Sequence, residues 1–280
     1  MAWVTEMSQL ESAVPGVAEQ AVETRASQRR TSPSAATLYP PGVASRTIDG
    51  VIVLAVDGPL NHVVDELTVA VRYALAEGPR ALVCDLSGVT HGVDVDGLDL
   101  LAASTREVRD WPGTPIVMTS PDGGIRAVLR LHSMSDHVMV RSTLGRALAD
   151  VEKCPAPVDA HTRLEPRTTA SRSARNFVSR TCLDWGLRHE LASASLVVSE
   201  LVTNAVIHAG TDIDLGLTRL GGRLRLAVRD GSTISPRQPV LDLGRRRGRG
   251  LAITEAFSRI WGVLPTADGG KVVWAVIDCD

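Results

Sequence analysis

From Thr47 to Glu152 strand-sized apolar runs alternate with amphipathic ones: IDGVIVLAV, NHVVDELTVAVRYALAEG, RALVCDLSG, DGLDLLAASTREVRDW, PIVMTS, DGGIRAVLRLHSM, HVMVRS and LGRALADVE. Short apolar strands separated by amphipathic helices predict a small α/β domain over residues 45–152. Before it, residues 1–44 are rich in Ser, Ala, Pro and Arg without a sustained apolar period, and read as a disordered leader. After it, KCPAPVDAH carries two prolines close together, which interrupt helix and mark a linker over 153–163.

The second half has a different rhythm. Two helical segments, RTTASRSARNFVSRTCLDWGL and RHELASASLVVSELVTNAVIHAG, precede a hairpin of DIDLGLTRL and RLRLAVRD. The hairpin turns through Gly221-Gly222, which suits the positive φ angles of a tight turn. An arginine-rich polar loop follows, then LAITEAFSRIWG as a helix and KVVWAVID as a last strand. Helices followed by antiparallel strands predict a two-layer α/β sandwich with helices on one face of a sheet, over residues 164–280.

A chain of 280 residues has room for these two domains. Because the chain is 44% hydrophobic but only 3% aromatic, Val, Leu, Ile and Ala must build both cores. The net charge of −2 gives no reason to expect direct nucleic-acid binding or an anionic membrane as partner. Cys84, Cys154, Cys182 and Cys279 are too scattered for a zinc site or a small disulfide framework, and read as reduced thiols. No apolar run approaches the ~20 residues that span a bilayer, and the first residues lack the layout of a signal peptide. The expected location is the cytoplasm.

Polar residues interrupt the helix SELVTNAVIHAG at four-residue intervals: Glu200, Asn204 and His208. Beside them Leu187, Leu191, Ala194, Val198, Leu201 and Ala205 recur at three- and four-residue steps, the stripe that packs on a sheet. Side chains one turn apart lie about 5–6 Å apart at Cβ, so Glu200 and Asn204 can serve one ligand. Asp230-Gly231 ends an apolar strand, where a carboxylate can accept a hydrogen bond from the amino group of a bound base. In GRRRGRGLA, Gly248 and Gly250 lead into a helix, and glycines at a helix start let backbone N–H groups approach phosphate. The neighbouring arginines have no interleaved aromatic residues, which argues against a nucleic-acid patch. The glycines do not follow a strand and so do not form a dinucleotide fingerprint.

In this order, Glu200-x-x-x-Asn204, Asp230-Gly231 and Gly248-Arg249-Gly250-Leu251 resemble the N, G1 and G2 boxes of the Bergerat-fold (GHKL, histidine-kinase-like) ATPases. The phrases ARNFV…LDWGL, SELVTNAVIHAGT, LAVRDGS and GRGLAITEAFSRIWGV…GGKVVWAVI match the anti-sigma-factor serine kinases best within that group, over about Leu164 to Asp280. The resemblance implies that Asn204 ligands an Mg²⁺ bridging the phosphates of ATP and that Asp230 takes the adenine amino group. It further implies that Glu200 is the general base toward a substrate serine, and that Gly248, Arg249, Gly250 and Leu251 hold phosphate. Phosphoryl transfer needs positioning and charge neutralisation, with a carboxylate in reach of the attacking hydroxyl. Gly231 belongs to the base-binding element, and His208 either touches phosphate or serves only as a helix-terminal residue. Two positions depart from the pattern: Asp230-Gly231-Ser232 replaces Asp-x-Gly, and Val272 stands where a Thr often assists adenine binding. Arg188-His189-Glu190-Leu191 resembles a phosphoacceptor box. On a continuous helix, however, His189 would lie roughly 22 Å from Asn204, out of reach of its own ATP.

CDLSGVTHGVDVDGLDLL resembles the STAS domain of anti-sigma antagonists, over about Thr47 to Glu152. There the loop after the strand commonly reads Asp-Ser-Ser/Thr-Gly-Leu, with the second hydroxyl residue phosphorylated. Here it reads Asp94-Val95-Asp96-Gly97-Leu98. Asp96 is an N-cap, a fixed negative charge in place of a phosphoserine, or both. Such a charge is expected to bias the two domains apart. The combined expectation is an ATP- and Mg-dependent serine/threonine kinase and anti-sigma-type regulator with a tethered, non-phosphorylatable STAS module. The alternative is a nucleotide-gated binding protein with little or no turnover. The partners implied are a sigma factor or similar regulator and STAS-type antagonists, with homodimer formation left open.

Overall fold

A computed structural model describes residues 39–89, 114–131, 138–233 and 249–279. The leader is outside these residues up to position 38, and so is the loop that contains Asp94 and Asp96. The first sheet has the order β1-β2-β3-β4-β5, with β1 Val43–Ile48, β2 Val51–Gly58, β3 Ala81–Val89, β4 Ile116–Thr119 and β5 Val138–Arg141. β1 and β2 form an antiparallel hairpin, whereas β2 to β5 are mutually parallel. The hairpin corrects the expectation that IDGVIVLAV is one strand. Asp49 and Gly50 both have positive φ, 47° and 79°, so the Asp-Gly dipeptide makes a tight turn inside that run.

Among the described residues three helices flank this sheet: α1 Leu60–Ala76, α2 Gly123–Leu131 and α3 Leu144–Lys153. The starts of α2 and α3 follow capping chemistry, whereas α1 begins after Pro59 without a side-chain cap. Asp122 Oδ1 accepts from Ile125 N at 3.0 Å, and Thr143 Oγ1 accepts from Arg146 N at 3.3 Å. On one face of the sheet Val51, Val53, Ala81, Val83 and Val117 pack against Ala147 and Val151 of α3. The alternate residues, including Leu54, Leu82, Cys84 and Met118, pack with α1 and α2.

The second sheet is wholly antiparallel, in the order β6-β7-β8-β10-β9. Its strands are β6 Val158–Leu164, β7 Ile213–Leu220, β8 Arg223–Asp230, β9 Ile260–Pro265 and β10 Lys271–Asp278. Two expectations are corrected here. Much of the segment read as a linker is the edge strand β6, because the prolines interrupt only the chain up to Pro157 and the following residues pair with β7. Likewise Ile260, Trp261 and Gly262 belong to β9, not to the helix before it.

Helices α4 Ala170–Asp184, α5 Leu191–His208 and α6 Arg249–Phe257 accompany this sheet. α4 stops at Gly186, whose φ of 75° lets Leu187 N reach Cys182 O at 2.7 Å. On α5, Ala194, Val197, Val198, Leu201, Val202 and Ala205 are buried against Leu215, Leu217, Leu226, Val228 and Ala275. By length and mean hydropathy (1.4) α5 meets the measure of a membrane-crossing helix, contrary to expectation, but its apolar stripe is spent on the sheet.

The other face of the second sheet is covered as well. Val272, Trp274, Val276 and Leu264 share one apolar cluster with Val63, Val64, Leu67, Ala70 and Val71 of α1. Helix α1 therefore lies between the two sheets, and the expected two-layer sandwich has a further layer supplied by the first domain. This packing also runs against the expectation that the domains are held apart.

Candidate functional site

Helix α5 carries the polar line. Glu200 and Asn204 are half-buried on the flank of its packed stripe, and His208 is exposed in the last turn. Helix α5 ends where Gly210 adopts a φ of 63° and donates to Ala205 O at 3.2 Å. The chain then turns so that Thr211 Oγ1 accepts from Gly231 N at 2.9 Å. This bond brings the segment after α5 to the end of β8. A Cβ on Gly231 would lie 3.1 Å from Thr211 Cγ2, so glycine is favoured here by close approach and not by an unusual φ.

Asp230 ends β8 and is 3% exposed. Its carboxylate is held from two sides: Oδ1 accepts from Lys271 Nζ at 2.7 Å and from Ser232 N at 2.9 Å. Lys271 Nζ also donates to Ser232 O at 3.3 Å. The register that pairs Lys271 with Asp230 across β10 and β8 fixes this arrangement. Gly270 permits it, since a Cβ there would stand 2.3 Å from the Asp230 carbonyl oxygen.

Sequence reasoning missed Lys271, although a signal was present. Lysine occurs in this chain only at positions 153 and 271, arginine supplying the other cations. A compact ammonium on a flexible stem fits beside a buried carboxylate at a strand end, where a planar guanidinium demands more room. The bonds from Lys271 Nζ and Ser232 N both fall on Oδ1 of Asp230.

The phosphate-side elements are described in part. Arg249, Gly250 and Leu251 form the first turn of α6, which packs on α5, while Gly248 lies outside the described residues. No group of three or more His, Cys, Asp or Glu suited to a metal occurs among the described residues. The donor set nevertheless fits Mg²⁺, which keeps several waters and takes one or two protein oxygens together with substrate phosphates. The Asn204 amide oxygen, half-buried one turn from Glu200, is such a donor.

A cleft of about 320 Å³ lies elsewhere, lined by Ile48, Asp49, Val51, Arg80, Leu148, Val151 and Glu152. It sits at the beginnings of β2 and β3. Ligands of parallel α/β sheets bind at the opposite, carboxyl ends of the strands, so this cleft is not the favoured site. Arg80 spans it, donating to the carbonyls of Val151 and Glu152 at 3.4 Å each.

Comparison with known proteins bears on the first half. The STAS domain family model matches residues 43–147. No curated protein matches the chain. Among solved structures, the chain is similar to an anti-sigma factor antagonist from Mycobacterium paratuberculosis, at 29% identity over 41% of this chain and 98% of that one, with a TM-score of 0.32. It is similar to a variant of RsbS from Moorella thermoacetica, at 18% identity over 40% of this chain and 95% of that one, with a TM-score of 0.34. A third similarity is to the RsbU and RsbW domains of a Mycobacterium tuberculosis protein, at 21% identity and a TM-score of 0.33. It covers 43% of this chain but only 32% of that longer one. Residues 43–147 of this chain are thus a STAS domain.

Proposed function

We propose that the chain is an ATP- and Mg-dependent serine/threonine protein kinase and anti-sigma-type regulator in a cytoplasmic partner-switching pathway. Its partners would be a sigma factor or similar regulator and STAS-type antagonists. The observation that carries this reading is the convergence of α5 and the end of β8 through the Thr211–Gly231 bond. That bond joins the element bearing Glu200 and Asn204 to the one bearing Asp230. In this assignment Asn204 would hold Mg²⁺, whose charge would offset that of the phosphates, Asp230 would accept from the base amino group, and Arg249 to Leu251 would offer backbone N–H groups at a helix start. Glu200 takes the proton of the attacking serine. The STAS domain supports the regulatory part of the reading.

A second reading is a nucleotide-gated binding protein with little turnover. The Lys271–Asp230 pair bears on both readings alike, since an ammonium already bonded to the carboxylate reduces what a base gains there and lowers affinity, not turnover. One experiment separates the two. STAS proteins from the same genome are incubated with the full chain and Mg-ATP, and phosphoserine and phosphothreonine are mapped by mass spectrometry. The kinase reading expects transfer that falls by about 10²–10⁴-fold in Glu200→Gln while ATP binding persists. Bound ATP without any transfer would establish the second reading instead.

A further inference from the structure

Helix α1 has little free surface. Between His62 and Glu77 only His62, Asp65 and Glu77 are exposed, because one side packs on the first sheet and the other on the second. The seat on the second sheet is apolar at Val272, Trp274, Val276 and Leu264, with charges at its edge. Arg229 Nη1 donates to Glu77 Oε1, at the C-cap of α1, at 3.0 Å. Its Nη2 donates to Asp268 Oδ2 at 2.8 Å. At Gly78, with a φ of 62°, a Cβ would lie 3.6 Å from Arg225 Nη2, so the end of α1 rests over a second arginine of β8.

We propose that the outer face of β8, β10 and β9 is a recognition surface for the STAS helix α1, occupied in cis and keyed by the Glu77–Arg229 pair. Its engagement does not depend on the charge at residue 96. Three observations point to α1 as the occupant. The apolar residues of the seat and of the helix belong to one buried cluster. The polar edge pairs carboxylate with guanidinium. The tether is short, since α3 ends at Lys153 and β6 begins at Val158, with two prolines between. Such a tether sets an effective concentration of about millimolar, against which a separate protein or second copy must compete. The contact is made by α1 and its C-cap residue Glu77. The proposal holds whether or not the second half binds a nucleotide.

The test uses the full chain and hydrogen exchange of the α1 amides, residues 60–77. Glu77→Arg should raise their exchange by about fivefold to tenfold, because two guanidinium groups then face each other at a partly exposed edge. Glu77→Arg combined with Arg229→Glu, in an Asp268→Asn background so that no carboxylate faces the new glutamate, restores the pairing in reverse and should return exchange to within about twofold of the Asp268→Asn chain. Asp96→Ser and Asp96→Ala should leave it within the same margin of the parent. The proposal is overturned if the reversed pair fails to recover, if Glu77→Arg has no effect, or if either change at residue 96 matches the effect of Glu77→Arg.

Discussion

At the scale of single residues, the buried pair formed by Asp230 and Lys271 has a large energetic consequence. Their side chains are only 1% and 7% exposed. Removing one partner leaves an uncompensated charge in a dry site, which costs about 3–5 kcal/mol. Lys271→Met should therefore lower stability by that amount in denaturant titrations, whereas exchange of Lys153, an exposed lysine, should change little. A loss below about 1 kcal/mol would show that water reaches the carboxylate. Neighbouring residues of the same strand serve opposite ends: Val272 lies in the apolar cluster with α1, while Lys271 bonds Asp230.

At the scale of elements, α5 and β10 each serve both the fold and the candidate site. Leu201 is 2% exposed between α5 and the sheet, so Leu201→Ala should cost about 2–5 kcal/mol, measured by thermal or chemical unfolding. Helix α5 was legible because its apolar residues recur with a helical period and its polar line stands beside them. The Gly221-Gly222 hairpin was legible for a local reason too, with both residues at positive φ, 56° and 74°. What escaped was non-local or masked by a neighbouring signal. β6 alternates in burial from Val158 to Leu164, but the adjacent prolines drew it into a linker. In β10, Lys271 to Ile277 are all buried, so the run VVWAVI, read only as a last strand, is covered on both faces. That helix α1 supplies the second cover could not be read from periodicity, since one helix packed on two sheets differs from a core helix only in three dimensions.

At the scale of the whole molecule, the STAS domain contributes a layer to the second half, and Arg229 connects them at the edge. Asp268 on the other side of Arg229 gives this link a pH dependence. Burial would raise the Asp268 carboxyl, but hydrogen bonds from Thr266 and Arg229 and the charge of Arg229 outweigh it and hold the group below its ordinary 3.8. A carboxyl depressed in the folded state contributes stability that is complete above the unfolded value and is lost as pH falls through the folded one. The stability difference between the parent chain and Asp268→Asn should thus be constant above about pH 4 and shrink on further acidification, as followed by unfolding across a pH series. A difference that varied between pH 5 and 8 would assign the titration to another group. The central claim, that α5 and the end of β8 together hold a magnesium nucleotide, is tested most directly by calorimetric titration of Mg-ATP into the full chain and into Asn204→Ala. The account predicts saturable binding by the parent chain and affinity lower by roughly tenfold or more in the variant, because the phosphates lose a ligand to their bridging ion. Absence of binding by the parent chain, or equal affinity in the two proteins, would contradict it.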